Sequence, residues 1–343
     1  MSSNAWLMDI TTRHQVFLQR YAGGQANAAK ATLNRLSKAI KQRLVAEHNT
    51  IHRNRLAVVL ADVDTLSLRA FGEITAQALE SSQVLVIKEA EFSLAAFDRS
   101  TTKSAVFTLP SEAALLMAVD STALTVGTRA MTIRQTLKEF DTLKRAEIER
   151  TILDAIVIGE NSAATATKVA EIIDTKIKRE AGTIVRTVTN SVSNIARNET
   201  MLANRDIANE YRWISTLDNR TTLICAGRDN ETYEIGAGPL PPAHYNCRSS
   251  TVLVIDPKYN LGTNASGTRT ARGESGTTER INSKTTYGGW LKKQPADFVD
   301  EALGKERSRL FRSGNLSIDK FTDPTGRTYT LEELERINPL AFA

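Results

Sequence analysis

The chain has 343 residues, 41% of them hydrophobic and 6% aromatic, with a formal net charge of +5 and two cysteines. That length holds two domains, or one with extensions, and can bury a sizeable core, while so few cysteines exclude a disulfide framework and suit a reducing cytoplasm. No apolar run approaches the roughly 20 residues of a membrane helix, and MSSNAWLMDITTRH lacks a basic segment followed by an apolar one, so neither a membrane span nor a secretory signal is expected.

Residues 1–60 carry nine Lys or Arg against two acids, Asp9 and Glu47. From Gln25 to His48, Leu33, Leu36, Ile40 and Leu44 recur at helical spacing, with Arg35, Lys38, Lys41 and Arg43 between them. With Arg53 and Arg55 they are the candidate contacts for DNA phosphates or an acidic partner; a solvated helix face is the competing reading. His48 and His52 are four apart but have no acidic or cysteine partner nearby, so they read as surface residues of a helix junction rather than metal ligands. A second helix follows through Val59, Val63, Leu66 and Ala70. Residues 83–110 mix apolar runs with polar breakers and leave helix and strand unresolved.

After Pro110, Ser111 is placed to cap a helix, and Thr132 with Gln135 has capping-box spacing ahead of a long helix to about Ile158. Gly159 to Ser162 interrupts the pattern, and Val169, Ile172, Ile173 and Ile177 mark another amphipathic run. From Thr183 to Leu202, one face is apolar while Thr187, Thr189, Asn190, Asn194 and Asn198 fill the rest. Those residues lower intrinsic helicity, so this helix must be stabilised by packing.

Between Trp213 and Ile255 the character changes. Three runs, Trp213 to Leu217, Thr221 to Cys225 and Ser250 to Ile255, suit strands separated by turn residues. Pro241 and Pro242 stiffen the segment that carries His244, Cys247 and Arg248. Residues 258–284 are almost free of apolar residues and read as a mobile linker or arm, where Arg269, Arg272 and Arg280 are able to meet DNA but more often such residues only keep a linker solvated. Order returns with Trp290, Leu291, Phe298, Val299, Ala302 and Leu303, then Leu310 and Phe311; Asp323 to Gly326 forms a turn, and Thr330 with Glu333 a last capping box.

Cys225, His244 and Cys247 are donor types that zinc favours, with Asp229, Asp218 or water as the fourth ligand. A pair of inert buried thiols, with His244 hydrogen-bonded to backbone, is the leading competing reading, and a reducing cytoplasm argues against a disulfide between the cysteines. A Cys-His nucleophile is disfavoured because no orienting third group or oxyanion-hole motif is recognisable. Phosphate-loop, HExxH, GxSxG and GxGxxG motifs are absent, and no histidine follows His244 to complete a paired His/Asn nuclease site.

Trp213, Asp218, Arg220, Cys225, Pro241-Pro242, His244, Asn246, Cys247 and Arg248, closed by an apolar β run, resemble in order and spacing the signature of phage head morphogenesis proteins, the Mu protein F-like minor head proteins. The segment YGGWLKKQPADFVDEALGKERSRLFRSGNLS resembles the tail of the same family. Asp229-Asn230 departs from the family by replacing an aspartate-glycine pair in a turn.

The resemblance implies a minor capsid protein that binds the portal during prohead assembly in the host cytoplasm. It also implies residence in the head interior near the portal vertex, with packaged double-stranded DNA, major capsid or scaffolding protein as further partners. The expected fold is α+β: a helical region over 1–160, a Mu F-like core with the Cys/His knot over 161–257, the arm over 258–284, and the C-terminal part of the Mu F-like domain over 285–343. The expected function is binding without catalysis. A metal-dependent nuclease or toxin-like enzyme and a plain DNA-binding protein are the alternatives.

Overall fold

The computed structural model describes residues 3–126, 129–261 and 267–342. Two long antiparallel-type partners open the chain, α1 (Ser3–Val45) and α2 (Arg53–Ser100), joined at the His48 to His52 turn, where His48 takes a positive φ of 57°. Helix thus continues through the first half of the segment that periodicity left open, and ends where Thr101 turns extended. Ser111 caps α3 (Glu112–Ser121), and a short hairpin, β1 (Leu124–Val126) with β2 (Arg129–Met131), leads to the Thr132/Gln135 capping box of α4 (Ile133–Val157).

Asn161 caps α5 (Ser162–Ile172), which passes through a π-helical turn at Ile173–Ile177 into α6 (Lys178–Leu202). The apolar residues of α1, α2, α4, α5 and α6 form one core, centred on Leu33, Ile40, Phe71, Ile152, Val169 and Ile177. Every residue from Thr187 to Asn198 is buried. The polar face of α6 is therefore an internal surface, as its weak intrinsic helicity demands: its hydrogen-bonding groups need protein partners.

The second half starts with β3 (Glu210–Ile214), the centre of an antiparallel three-stranded sheet flanked by β4 (Thr232–Glu234) and β5 (Ser250–Leu253). Where a strand was expected at Thr221 to Cys225, the chain forms α7 (Leu223–Arg228). Its β-prone sequence yields because Gly227 lets the helix press onto the Ile318–Phe321 turn, with a Cβ at Gly227 only 3.3 Å from Asp319 Cα.

The expected mobile arm is also corrected. The hairpin β6 (Thr268–Arg272) with β7 (Thr278–Asn282) occupies most of it, pairing through five residues and docking Arg272 N onto the Leu217 carbonyl at 2.8 Å. At Gly267 a methyl would stand 2.2 Å from the Ala5 carbonyl oxygen, so α1 and this hairpin touch backbone to backbone. Residues 262–266 of that stretch lie outside the described residues.

The C-terminal part adds α8 (Tyr287–Leu291), α9 (Ala296–Leu303), α10 (Lys305–Arg312) and α11 (Leu331–Ile337), the last with the Thr330/Glu333 capping box. These helices gather Trp290, Leu291, Val299, Leu310, Phe311 and Phe321 into a core with Leu217 and Ala226 of the preceding region. Among the described residues no helix is long and apolar enough to cross a membrane.

Candidate functional site

The polar stripe of α6 has one residue per turn, at Thr183, Thr187, Asn190, Asn194 and Arg197, and it receives the non-helical segment from Asn246 to Ser250. Asn246 N donates to Thr187 Oγ1 at 2.9 Å, and its side chain reaches Thr183 Oγ1 at 3.1 Å. Asn190 Nδ2 donates to the Ser249 carbonyl at 3.3 Å, and Arg197 reaches Ser250 Oγ. Gln15 of α1 ties both parts together, donating to Asn190 Oδ1 at 2.9 Å and to the Arg248 carbonyl at 3.1 Å. Short polar side chains suit this position because an irregular backbone buried against a helix needs donors and acceptors at close range.

Two carboxylate–guanidinium pairs lock the segments around β3. Arg248 binds Asp218 through both nitrogens, one at 2.8 Å, and Asp218 also accepts from Arg220 N at 3.1 Å. Burial works against the Asp218 charge, but Arg248 outweighs it and holds the carboxyl below its ordinary value. Asp229 and Arg269 form a second bidentate pair at 2.8 Å on both arms, with no side-chain exposure on either partner. Asp229 further accepts from Ser215 N and Tyr287 N, both at 2.7 Å, and Arg269 donates to the Ser215 and Thr285 carbonyls. This pair joins the sheet, the hairpin and α8. Arg269, read from the sequence as a linker residue that solvates the arm or meets DNA, is 1% exposed and belongs to the core. Asn230 has a φ of 74° and so keeps the turn left-handed.

Trp213 is fully buried, donating from Nε1 to Ser215 Oγ at 3.1 Å with the Arg228 guanidinium 5.3 Å from its ring centroid. Beside it lie Cys225, His244 and Cys247, whose donor atoms all fall within 4.8 Å of one another. Cys225 Sγ is 3.2 Å from His244 Nε2 and 3.8 Å from Cys247 Sγ, and the cysteines are unbonded. The cysteines are thus brought together without the disulfide that was one alternative. His244 Nδ1 faces the Tyr245 carbonyl at 2.8 Å, which orients Nε2 toward the sulfurs, the arrangement of a metal-binding histidine supported by a backbone acceptor.

The Cys225 thiol is pushed up by its hydrogen bond with Cys247 and by burial. For Cys247, burial opposes charge but Cys225 and His244 outweigh it and draw the thiol below its ordinary value. His244 is raised, since Cys247 outweighs the desolvation that favours a neutral ring.

The donor set fits a zinc ion, but neither carboxylate expected as a fourth ligand is available: Asp218 is engaged by Arg248 and Asp229 by Arg269. His244, Cys247 and the half-buried Thr222 instead wall a cavity of about 510 Å³.

The basic N-terminal residues divide into two groups. Arg35 pairs with Glu73, and Arg43 and Arg55 both bind Glu47, Arg43 reaching Asp62 as well. Hydrogen bonds from Arg55 and then Arg43 hold the Glu47 carboxyl down to about 2. Lys38, Lys41 and Arg53 are exposed, with no ion pair among the described residues. Sequence reasoning missed Glu89, buried in α2, which meets His14 Nε2 at 2.7 Å and Ser193 Oγ at 2.8 Å, with Arg197 at 3.8 Å. The signal available for it was a lone acid on the apolar stripe of Leu85, Val86 and Ala90.

No curated protein and no solved structure matches the chain. Residues 146–252 match the family model described as Phage Mu protein F like protein, a span that runs from α4 to β5 and contains every motif residue from Trp213 to Arg248. Residues 146–252 are thus similar to a Mu protein F-like domain.

Proposed function

We propose that the chain is a noncatalytic minor head protein that binds the portal during prohead assembly, resides near the portal vertex, and has packaged double-stranded DNA as a second partner during packaging or ejection. The family match supports a head role. The observation that carries the binding reading is the engagement of the motif itself: Asp218, Asn246 and Arg248 bond to one another's segments and to α6. Such residues shape a rigid surface instead of meeting a substrate. The test is light scattering during size exclusion of the purified chain with the portal oligomer of the same genome, in nuclease-treated samples at low and moderate salt. A DNA-independent complex of defined stoichiometry is expected; association seen only after DNA is added overturns the portal reading.

Cys225, His244 and Cys247 would hold a structural zinc, which when bound supplies a cross-link between α7 and the proline-rich turn. Such sites contribute on the order of 10 kcal/mol to folding. About one zinc per chain should therefore copurify, and chelation should abolish the native near-UV signal of Trp213. A metal-free chain with an unchanged melting midpoint overturns this assignment.

The neighbouring cavity gives the hydrolytic alternative its one supporting feature, since catalytic zinc sites keep a side open to substrate. Against it, no Asp or Glu lines that cavity among the described residues, which leaves no carboxylate to act as general base there.

A further inference from the structure

Gly182 is buried in α6, where glycine is among the poorest helix formers. A methyl at this position would stand 3.2 Å from Arg186 Nη1 and 3.4 Å from Lys30 Cε. The missing side chain thus makes room for two cations, one from α6 and one from α1, to converge over the helix. Neither has an ion-pair or hydrogen-bond partner for its side chain among the described residues. Convergence of like charges is unfavourable unless an anion lies between them.

The surroundings extend the same pattern. Two cavities, of about 510 and 350 Å³, share Arg186 and Asn246 as walls. The smaller is also lined by Lys30 and Arg179, and its one carboxylate among the described residues, Asp174, is bonded to Lys178 at 2.5 Å. The larger is lined by Arg220 and by no carboxylate. Arg220 lies in the field of Asp218, but Arg248 already binds that carboxylate. Lys30, Arg179, Arg186 and Arg220 therefore line these two adjoining cavities as cations without ion-pair partners among the described residues. They differ in this from Arg35, Arg43 and Arg55 of the N-terminal stripe, which are matched by acids.

Cavities of this size accept a nucleotide-sized group, and cations set along a groove track the successive phosphates of a single strand. We propose that the cleft between α1, α6 and the Tyr245–Arg248 turn binds the phosphodiester backbone of single-stranded nucleic acid, at a strand end or an unpaired segment. The proposal rests on the nucleic-acid side of the head reading and not on its portal side, which the nuclease-treated mixing experiment tests separately.

The experiment is fluorescence anisotropy of the full chain with a short labelled oligothymidylate, in competition with a duplex of equal length, with dTMP and with inorganic phosphate. Four phosphate contacts predict that log affinity falls with log salt at a slope of about −3. Arg186→Gln should weaken binding roughly tenfold or more and make the slope shallower by about 0.7. Arg220→Gln, at the other end of the cleft, should act likewise, whereas Lys38→Gln with Lys41→Gln should leave binding unchanged. Because the Arg186 and Arg220 side chains form no hydrogen bonds among the described residues, both variants should keep the wild-type melting midpoint; if one does not, the other carries the test. Displacement by dTMP at a potency per phosphate equal to the strand's would assign the cleft to free nucleotides and overturn strand binding. Oligonucleotide binding that is insensitive to both arginine variants, or equal to duplex binding, overturns the proposal outright.

Discussion

Asp229 with Arg269 and Arg35 with Glu73 are the same chemical pair in two settings. The first has no exposed side-chain surface and holds three segments together, while the second spans α1 and α2 with more than half of each side chain open to water. In water the attraction is screened and offset by side-chain ordering. In the core each partner is needed to neutralise the other, and the remaining donors and acceptors must be filled as well. The charge of a residue thus says little about its role until its surroundings are known: an arginine in an apolar-poor stretch is structural here, and the arginines of a basic helix are largely decoration.

Removing Asp229 by substitution with Ala should cost about 3–5 kcal/mol in urea unfolding, since it strands the Arg269 guanidinium in the core. Replacing both partners by apolar residues of similar size should recover much of that loss, and a double variant no more stable than the single one would break the comparison.

A smaller effect is expected at Asp218, whose carboxyl Arg248 holds below its ordinary value against the opposing effect of burial. The unfolded carboxyl titrates near ~3.9. Stability from this pair is therefore complete above that pH and is lost as pH falls through the lower native value. Asp218→Asn should cost roughly 1–3 kcal/mol at neutral pH and flatten the acid limb of the stability profile; an unchanged acid limb would detach Asp218 from acid unfolding. The least effect belongs to Arg35→Gln, under about 1 kcal/mol and smaller still in high salt. A larger loss, measured by the same urea titration, would mean that the exposed pair is structural after all.

Helix boundaries set by local chemistry were legible in the sequence. Both capping boxes, at Thr132/Gln135 and Thr330/Glu333, and the Ser111 cap are formed. These signals need only residues within one turn of each other. The grouping of Cys225, His244 and Cys247 was legible as well, because donor type and a short turn suffice to suggest it. What escaped depends on distant partners. The hairpin at Thr268–Asn282 buries Arg269 and Ala271, so a search for alternating large apolar residues passes over it. α7 looks like a strand locally and becomes a helix because of the surface that Ile318–Phe321 presents. Glu89 and Arg197 look like surface residues until α1, α2 and α6 are assembled around them.

The contacts of the first turn of α1 carry a consequence for synthesis. Asn4 exchanges hydrogen bonds with the main chain of Ile255, accepting from its N–H at 2.8 Å and donating to its carbonyl at 3.3 Å. Ser3 meets the Asn260 side chain at 2.9 Å. These partners leave the ribosome 251 and 257 residues later. At ~5–20 residues per second the front of α1 waits roughly ten to fifty seconds for them. Through that interval Leu7 and Met8 lack part of their native cover: Phe97 and Phe107 of their core are already made, but Tyr211, Ile214 and Leu253 come late. Nascent chains should therefore be most prone to chaperone capture and to association with one another before β5 emerges, and folding is complete only when residues 255–260 have reached back to the first turn.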